Sequence, residues 1–517
     1  ALKAISSGSF NVAIGRDSLK IATDGDHNIA LGYSSGVALT SGDDNVLIGK
    51  NTAINLSTGT NNIAIGENAL YLENSGTYAI AIGYRAGYKN RISSTNYNTF
   101  MGYNAGREVT TGNHNTFLGN HAGYGVDGSD ADNNVAIGSY SLVNITGNNN
   151  VSIGYEAGRY ASGSSNTFIG YEAGEGGTTS EPFSSGEGNV ALGYQALKAF
   201  TTGGDNIAIG YQAAEALTTS NMVIAIGHSA AQSFTADRGY GIYIGRLAGQ
   251  AETGVYNDTI VGGEAGYSQN MGGAGTSYSY STYIGYRAGY YNVSGLSNTY
   301  VGNEAGFSKT GAGNTAVGAD AMFGGANAVN SGDNNTAVGN VAGAYFQGDY
   351  AVAVGAQAGR YASGSYNSFM GYQAGRGGTT SAPFSSGQYN VAVGYQAFAA
   401  FTTANNNVVI GYQAGDAITT GANNSILGRS ALSTATTVLN GVFIGRSAGE
   451  DIAAGQALNG VVAIGWEAFK GGASTTTDAA GTIAIGYQAG YSITSGQRQT
   501  FLGYQAGYSS TTGDENV

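Results

Sequence analysis

The chain has 517 residues, only 10% of them charged, with 88 Gly, 37 Tyr, two Pro, one Trp and no Cys. Hydrophobic residues make up 42%, which argues against the disordered class, where low hydrophobicity goes with dense charge. A net charge of −13 with 20 scattered Lys and Arg forms no basic stripe for nucleic acid, and no apolar run approaches the ~18 residues needed to insert in a membrane.

The chain opens on "ALKAISSGSF", without Met or a signal-peptide pattern, and stops at "GDENV". That is expected of a segment of a longer polypeptide. Between these ends one phrase recurs. Short aliphatic runs end in Gly at 15, 32, 49, 66, 83, 102 and 119, mostly 16 or 17 residues apart, and the series continues to Gly503 for 28 copies. Ile, Leu, Val or Met precedes this Gly in every copy, and Ala, Ser or Thr stands three residues after it. Asn stands four residues before it in 18 copies.

Each position has a physical reading. Ile207-Ala208-Ile209 is strand chemistry, too short to stand alone, so it must pair with its neighbours in an array. Side chains alternate along a strand, yet all three residues are apolar, which predicts a strand that is dry on both faces. The Gly, as at Gly15, Gly154, Gly170, Gly210, Gly355, Gly371 and Gly411, suits a positive φ or a close backbone approach. The Asn, as at Asn166, Asn206, Asn367 and Asn407, suits left-handed geometry or a side-chain ladder along the array. A single turn buries too little to fold, whereas stacked turns share their ladders. The predicted fold is therefore all-β: one continuous parallel β-solenoid, or β-roll, over 1–517 with about 28 short turns and no separate globular domain. At ~4.8 Å per strand it would be a rod on the order of 130 Å long.

From Gly138 onward the array repeats itself. "GRYASGSSNTFIGYEAG" at 158–174 returns as "GRYASGSYNSFMGYQAG" at 359–375, an offset of 201 residues with 13 of 17 letters unchanged. The long linker "EGGTTSEPFSSGEGN" (175–189) returns as "RGGTTSAPFSSGQYN" (376–390) and carries the two prolines, Pro182 and Pro383. Extra residues in a solenoid are extruded on one face, where long loops carry function. The candidate recognition residues are accordingly Pro182, Phe183, Pro383 and Phe384, with Tyr278 and Tyr280 before Gly285.

Catalytic motifs yield to the array. "GYSSG" at 32–36 and "GRSAG" at 445–449 fit G-x-S-x-G, but their first Gly is the array Gly and no helix follows, so no nucleophile is assigned. His27, His114, His121 and His228 lack metal-ligand spacing and are read as surface residues. Glu156, Glu172, Glu264, Glu304 and Glu467 all fall two residues after the array Gly and read as a solvated row rather than paired glycosidase acids. Asp-bearing linkers such as "TSGDDN" lack a complete calcium loop, so no cofactor is assigned and calcium is not favoured. Tyr follows the array Gly in 13 copies and Trp466 in another. Aromatic packing between turns or chains is preferred there to a ledge for sugars.

The repeats "NNIAIGENAL", "NTAVGNVAG" and "NVAVGYQAF" resemble the head repeats of trimeric autotransporter adhesins. They are closer still to the N-T-A-I-G-Y-Q-A repeats of tail-fibre-type proteins that end in an intramolecular chaperone domain. The resemblance implies three chains wound side by side, one strand face filling the solenoid and the other meeting partner chains. It implies a non-enzymatic shaft, homotrimeric or a longer filament, extracellular on a virion tail or cell surface. Such a shaft spaces a receptor-binding tip and contacts a glycan or protein receptor. The alternatives are a monomeric solenoid that binds glycans or ice through a repeated face, and a polysaccharide-cleaving tailspike.

Overall fold

The computed structural model describes residues 4, 6–235, 239–251, 257–268, 279–324, 331–472 and 474–517. Its strands are three residues each, from β1 (Val12–Ile14) to β14 (Ile242–Ile244) and from β15 (Thr259–Val261) to β28 (Thr500–Leu502), with one short 3-10 turn at Thr477–Ala479. The first set builds one compact unit and the second set another. Within each unit every strand pairs in parallel with the next, so each unit is a parallel β-solenoid. The fold class read from the repeat is the one observed.

Register is kept whatever the linker length. β12 (Ile207–Ile209) meets β13 (Ile224–Ile226) with Ala208 opposite Ala225. β10 (Thr167–Ile169) meets β11 (Val190–Leu192) with Phe168 opposite Ala191, although the long linker intervenes. The array Gly explains this rigidity. Gly210 has φ +134, and a Cβ there would lie 2.4 Å from the carbonyl oxygen of Gly227. The same conformation recurs at Gly15, Gly154, Gly170, Gly355, Gly371 and Gly411. Positive φ and close approach thus both apply, and each excludes a side chain.

Asn is a ladder rather than a left-handed residue. Asn206 is buried and donates from Nδ2 to Asn189 Oδ1 (3.0 Å) and to the Ser220 carbonyl (2.9 Å), while its Oδ1 accepts from Val223 N (2.9 Å). Asn166, Asn367 and Asn407 donate in the same way to the carbonyls of Gly186, Gly387 and Gly421. The left-handed position is one residue earlier, at Asp205, Ser165, Tyr366 and Asn406. Two more such positions follow the array Gly, at Gln212 and Ala214 in this turn.

The strand's middle residue faces the core. Ala208 is fully buried, whereas Ile207 and Ile209 are half-buried on the outside. Behind the middle column lie Ala213, three residues after the Gly, and Leu217, seven after it, both fully buried. The core is thin, so its columns compensate for each other's size. Every aromatic residue of the middle column is followed six residues later by Gly. A Cβ at Gly174 would meet the Phe168 ring at 2.2 Å, and one at Gly306 the Tyr300 ring at 2.5 Å. Where the middle residue is Ala64, Ala136 or Ala191, the same position holds Leu70, Leu142 or Leu197. Other turns pair a small middle residue with Gly, as Ala81 with Gly87 and Ala353 with Gly359, and there the core is filled from adjacent columns, Leu70 lying by Gly87 and Phe346 by Gly359.

Candidate functional site

The outward face of the strands presents an apolar side chain at every turn, because the third strand residue is always Ile, Leu, Val or Met. Its rows are the first and third strand residues, such as Ile207, Ile209, Ile224 and Ile226, half-buried in the single chain. Several are more open, including Leu192, Leu427 and Val408. Alongside them runs the Tyr column. Tyr155, Tyr171, Tyr194, Tyr211 and His228 form one stack, with successive ring centroids 5.4, 5.2, 5.0 and 4.9 Å apart. Tyr372, Tyr395 and Tyr412 repeat it at 5.2 Å steps. These rings cover each other's faces and turn their edges to solvent. Within these stacks the arrangement is packing between turns.

The other singled-out residues fall into columns. His27 stacks on Phe10, His114 on Tyr97 and His121 on Tyr140, so every His serves an aromatic stack. Ser34 and Ser447 share the left-handed column two residues after the array Gly. The Glu residues of that column are not a solvated row. Glu156 pairs with Arg159 at 2.8 Å, Glu264 with Arg287 at 2.8 Å and Glu304 with Arg287 at 3.7 Å, while Gln195 donates to Glu172 and Gln488 to Glu467. Between turns the row continues as an amide ladder, Gln212 to Gln195 and Gln413 to Gln396 at 3.0 Å. The linker carboxylates are engaged too: Asp43 accepts from Asp26 N at 2.7 Å. Among the described residues no three His, Asp or Glu side chains converge on a point where a metal ion would sit.

The two copied loops fold back alike. Ser184 N donates to Tyr160 O at 3.0 Å, and Ser385 N to Tyr361 O at 2.9 Å. Pro182 and Pro383 are exposed and follow cis peptide bonds, while Phe183 and Phe384 are half-buried. Tyr280 is exposed at positive φ. It occupies the column before the ladder position, like Tyr350, Tyr366 and Tyr389, and is a repeat residue rather than part of a special loop. Tyr278 lies outside the described residues.

One buried group escaped the sequence reading. Lys309 stands seven residues after Gly302, in the column filled by Leu217 and Phe346, and is fully buried with Nζ 3.1 Å from the Phe346 carbonyl oxygen. Burial pushes its amine down to about 7, against the pull of Asp333 and Asp349. The unfolded amine titrates near 10.5, so between these values the unfolded chain holds more protons and stability rises with pH. The unit built on β15–β28 is expected to gain about 2–3 kcal/mol from pH 7 to pH 9. Lys309→Met should remove that dependence; thermal unfolding at the two pH values checks it.

No family model matches the chain, and none of the curated proteins compared with it does. No described helix is long and apolar enough to cross a membrane.

Proposed function

We propose that the chain is a non-enzymatic fibre shaft whose copies associate, as a homotrimer or a longer filament, through the outward strand face. The observation that carries this reading is the outward column of apolar third strand residues, present at every turn of both units, with Tyr stacks flanking it over part of each. Monomers rarely expose contiguous apolar patches beyond a few hundred Å², and stable interfaces take about 800 Å² per partner. A ribbon that adds one apolar side chain at every turn, and a second wherever the first strand residue is Val or Ile rather than Thr or Ser, is expected to pass that size within one unit. The parallel ladder supports the mechanical role, because within each unit every strand is fixed by pairing with the next.

In this reading the shaft is extracellular, on a phage tail or a cell-surface appendage, and spaces a receptor-binding tip from an anchored base. It contacts a receptor, glycan or protein, along its length and needs no cofactor. Antibody raised against the segment and imaged by electron microscopy on native particles or cells tests the setting. Label distributed between base and tip is expected; label confined to the cell interior would overturn it.

A further inference from the structure

The two copies of the duplicated loop share one fold but differ in what packs on their Phe, and the difference lies in a few residues. In the second copy the Phe384 ring is covered: Tyr345 stacks on it at 4.5 Å between centroids and Tyr361 lies 6.2 Å away. In the first copy the residue corresponding to Tyr345 is Asn144, and no ring packs on Phe183. Phe183 instead lines a shallow recess of about 450 Å³ with Val126, Thr146, Ser162, Glu181 and Pro182. Glu181 corresponds to Ala382 and Thr146 to Gln347. The copy with the uncovered ring is thus also the copy with a carboxylate and an extra hydroxyl beside it.

We propose that this recess binds one neutral hexopyranose residue of a surface glycan. The volume falls within the roughly 300–1,000 Å³ of small-molecule sites. Phe183 and Pro182 offer an apolar floor for the C–H face of a pyranose ring. Thr146 donates its hydroxyl to Ser162 O at 3.1 Å and Ser162 donates its own to Ser184 O at 3.2 Å. Both hydroxyl oxygens therefore keep lone pairs to accept from sugar hydroxyls. The Glu181 carboxylate has no hydrogen bond or ion pair to any described residue, and charge-assisted acceptance from a sugar hydroxyl is the stronger kind. A neutral ring with adjacent hydroxyls satisfies this acceptor-rich rim, whereas an acidic sugar would meet the carboxylate with like charge. The site deepens the shaft reading and rests on it for its setting.

The test is saturation-transfer NMR on the full chain with the methyl glycosides of glucose, galactose, mannose and N-acetylglucosamine. At least one is expected to receive transfer on its ring protons. Phe183→Ala and Asn144→Tyr should abolish it, Glu181→Ala should weaken binding at least tenfold, and Phe384→Ala should leave it unchanged. Circular dichroism and light scattering on the same samples report fold and assembly separately, so failure of the shaft reading is distinguishable. Transfer to none of the four, or equal loss from Phe183→Ala and Phe384→Ala, overturns the proposal.

Discussion

Gly210→Ala is expected to destabilise the unit built on β1–β14 by about 3–5 kcal/mol. Two costs act together. The backbone is at φ +134, where an L side chain is strained by about 1–3 kcal/mol. The new Cβ would lie 2.4 Å from Gly227 O and 2.7 Å from Gly227 C, backbone atoms that cannot turn aside, and such overpacking costs about 1–3 kcal/mol more. The neighbouring array Gly residues are locked in the same ladder, so displacement is passed along rather than absorbed. Gly472, with ordinary φ and nothing within 4 Å of a built Cβ, is the control: Gly472→Ala should change stability by less than about 0.5 kcal/mol. Denaturant unfolding of both variants checks the contrast, and equal small effects would show that the close approach is not there.

Asn206→Ala is expected to cost a similar amount, about 3–5 kcal/mol, by a different route. The substitution removes two donations, to Asn189 Oδ1 and to Ser220 O, and the acceptor that Val223 N uses. Each buried polar group left without its partner costs about 1–3 kcal/mol, and Asn206 is 1% exposed. Asn405 makes two bonds, accepting from Gln388 N at 2.7 Å and donating to Thr403 O at 3.0 Å, but it is exposed and water can replace both partners, so Asn405→Ala should cost about 1 kcal/mol or less. Amide hydrogen exchange gives a local readout: Val223 N–H should lose protection in Asn206→Ala. Retained protection there would mean that the ladder is not what holds the turns together.

The array Gly was legible in the sequence because its backbone geometry excludes a side chain, and the Asn column was legible as one of two readings, left-handed turn or ladder, of which the structure shows the ladder. The inward direction of the strand was not legible. A three-residue strand with no polar member, such as Ile207-Ala208-Ile209, alternates without saying which side is dry. The signal that settles it is volume, since Phe168 and Gly174 are large and small in partnership across one thin core. That pairing is visible only when positions six apart are compared. The position seven after the Gly was also missed, because the Leu, Ile and Phe that fill it in turns such as those of Leu217 and Phe346 give way elsewhere to Ala, Gly and Val and to the polar Glu73, Asn90, Asn292 and Lys309. Of the candidate recognition residues, the loop pair 182–183 and 383–384 was found by its length. Of the differences between the two copies, Glu181 against Ala382 lies within the loops and Asn144 against Tyr345 outside them, and only the structure shows that Tyr345 packs on Phe384.

The measurement that tests the central claim most directly is the solution mass of the chain by light scattering under native conditions. A mass near three times 52.2 kDa, or a larger multiple, is the expected result and assigns the aliphatic ribbon to the interface between copies. A mass of 52.2 kDa that persists as concentration rises would contradict the shaft assembly. The outward ribbon would then be the repeated face of a monomeric solenoid, open to glycan or ice.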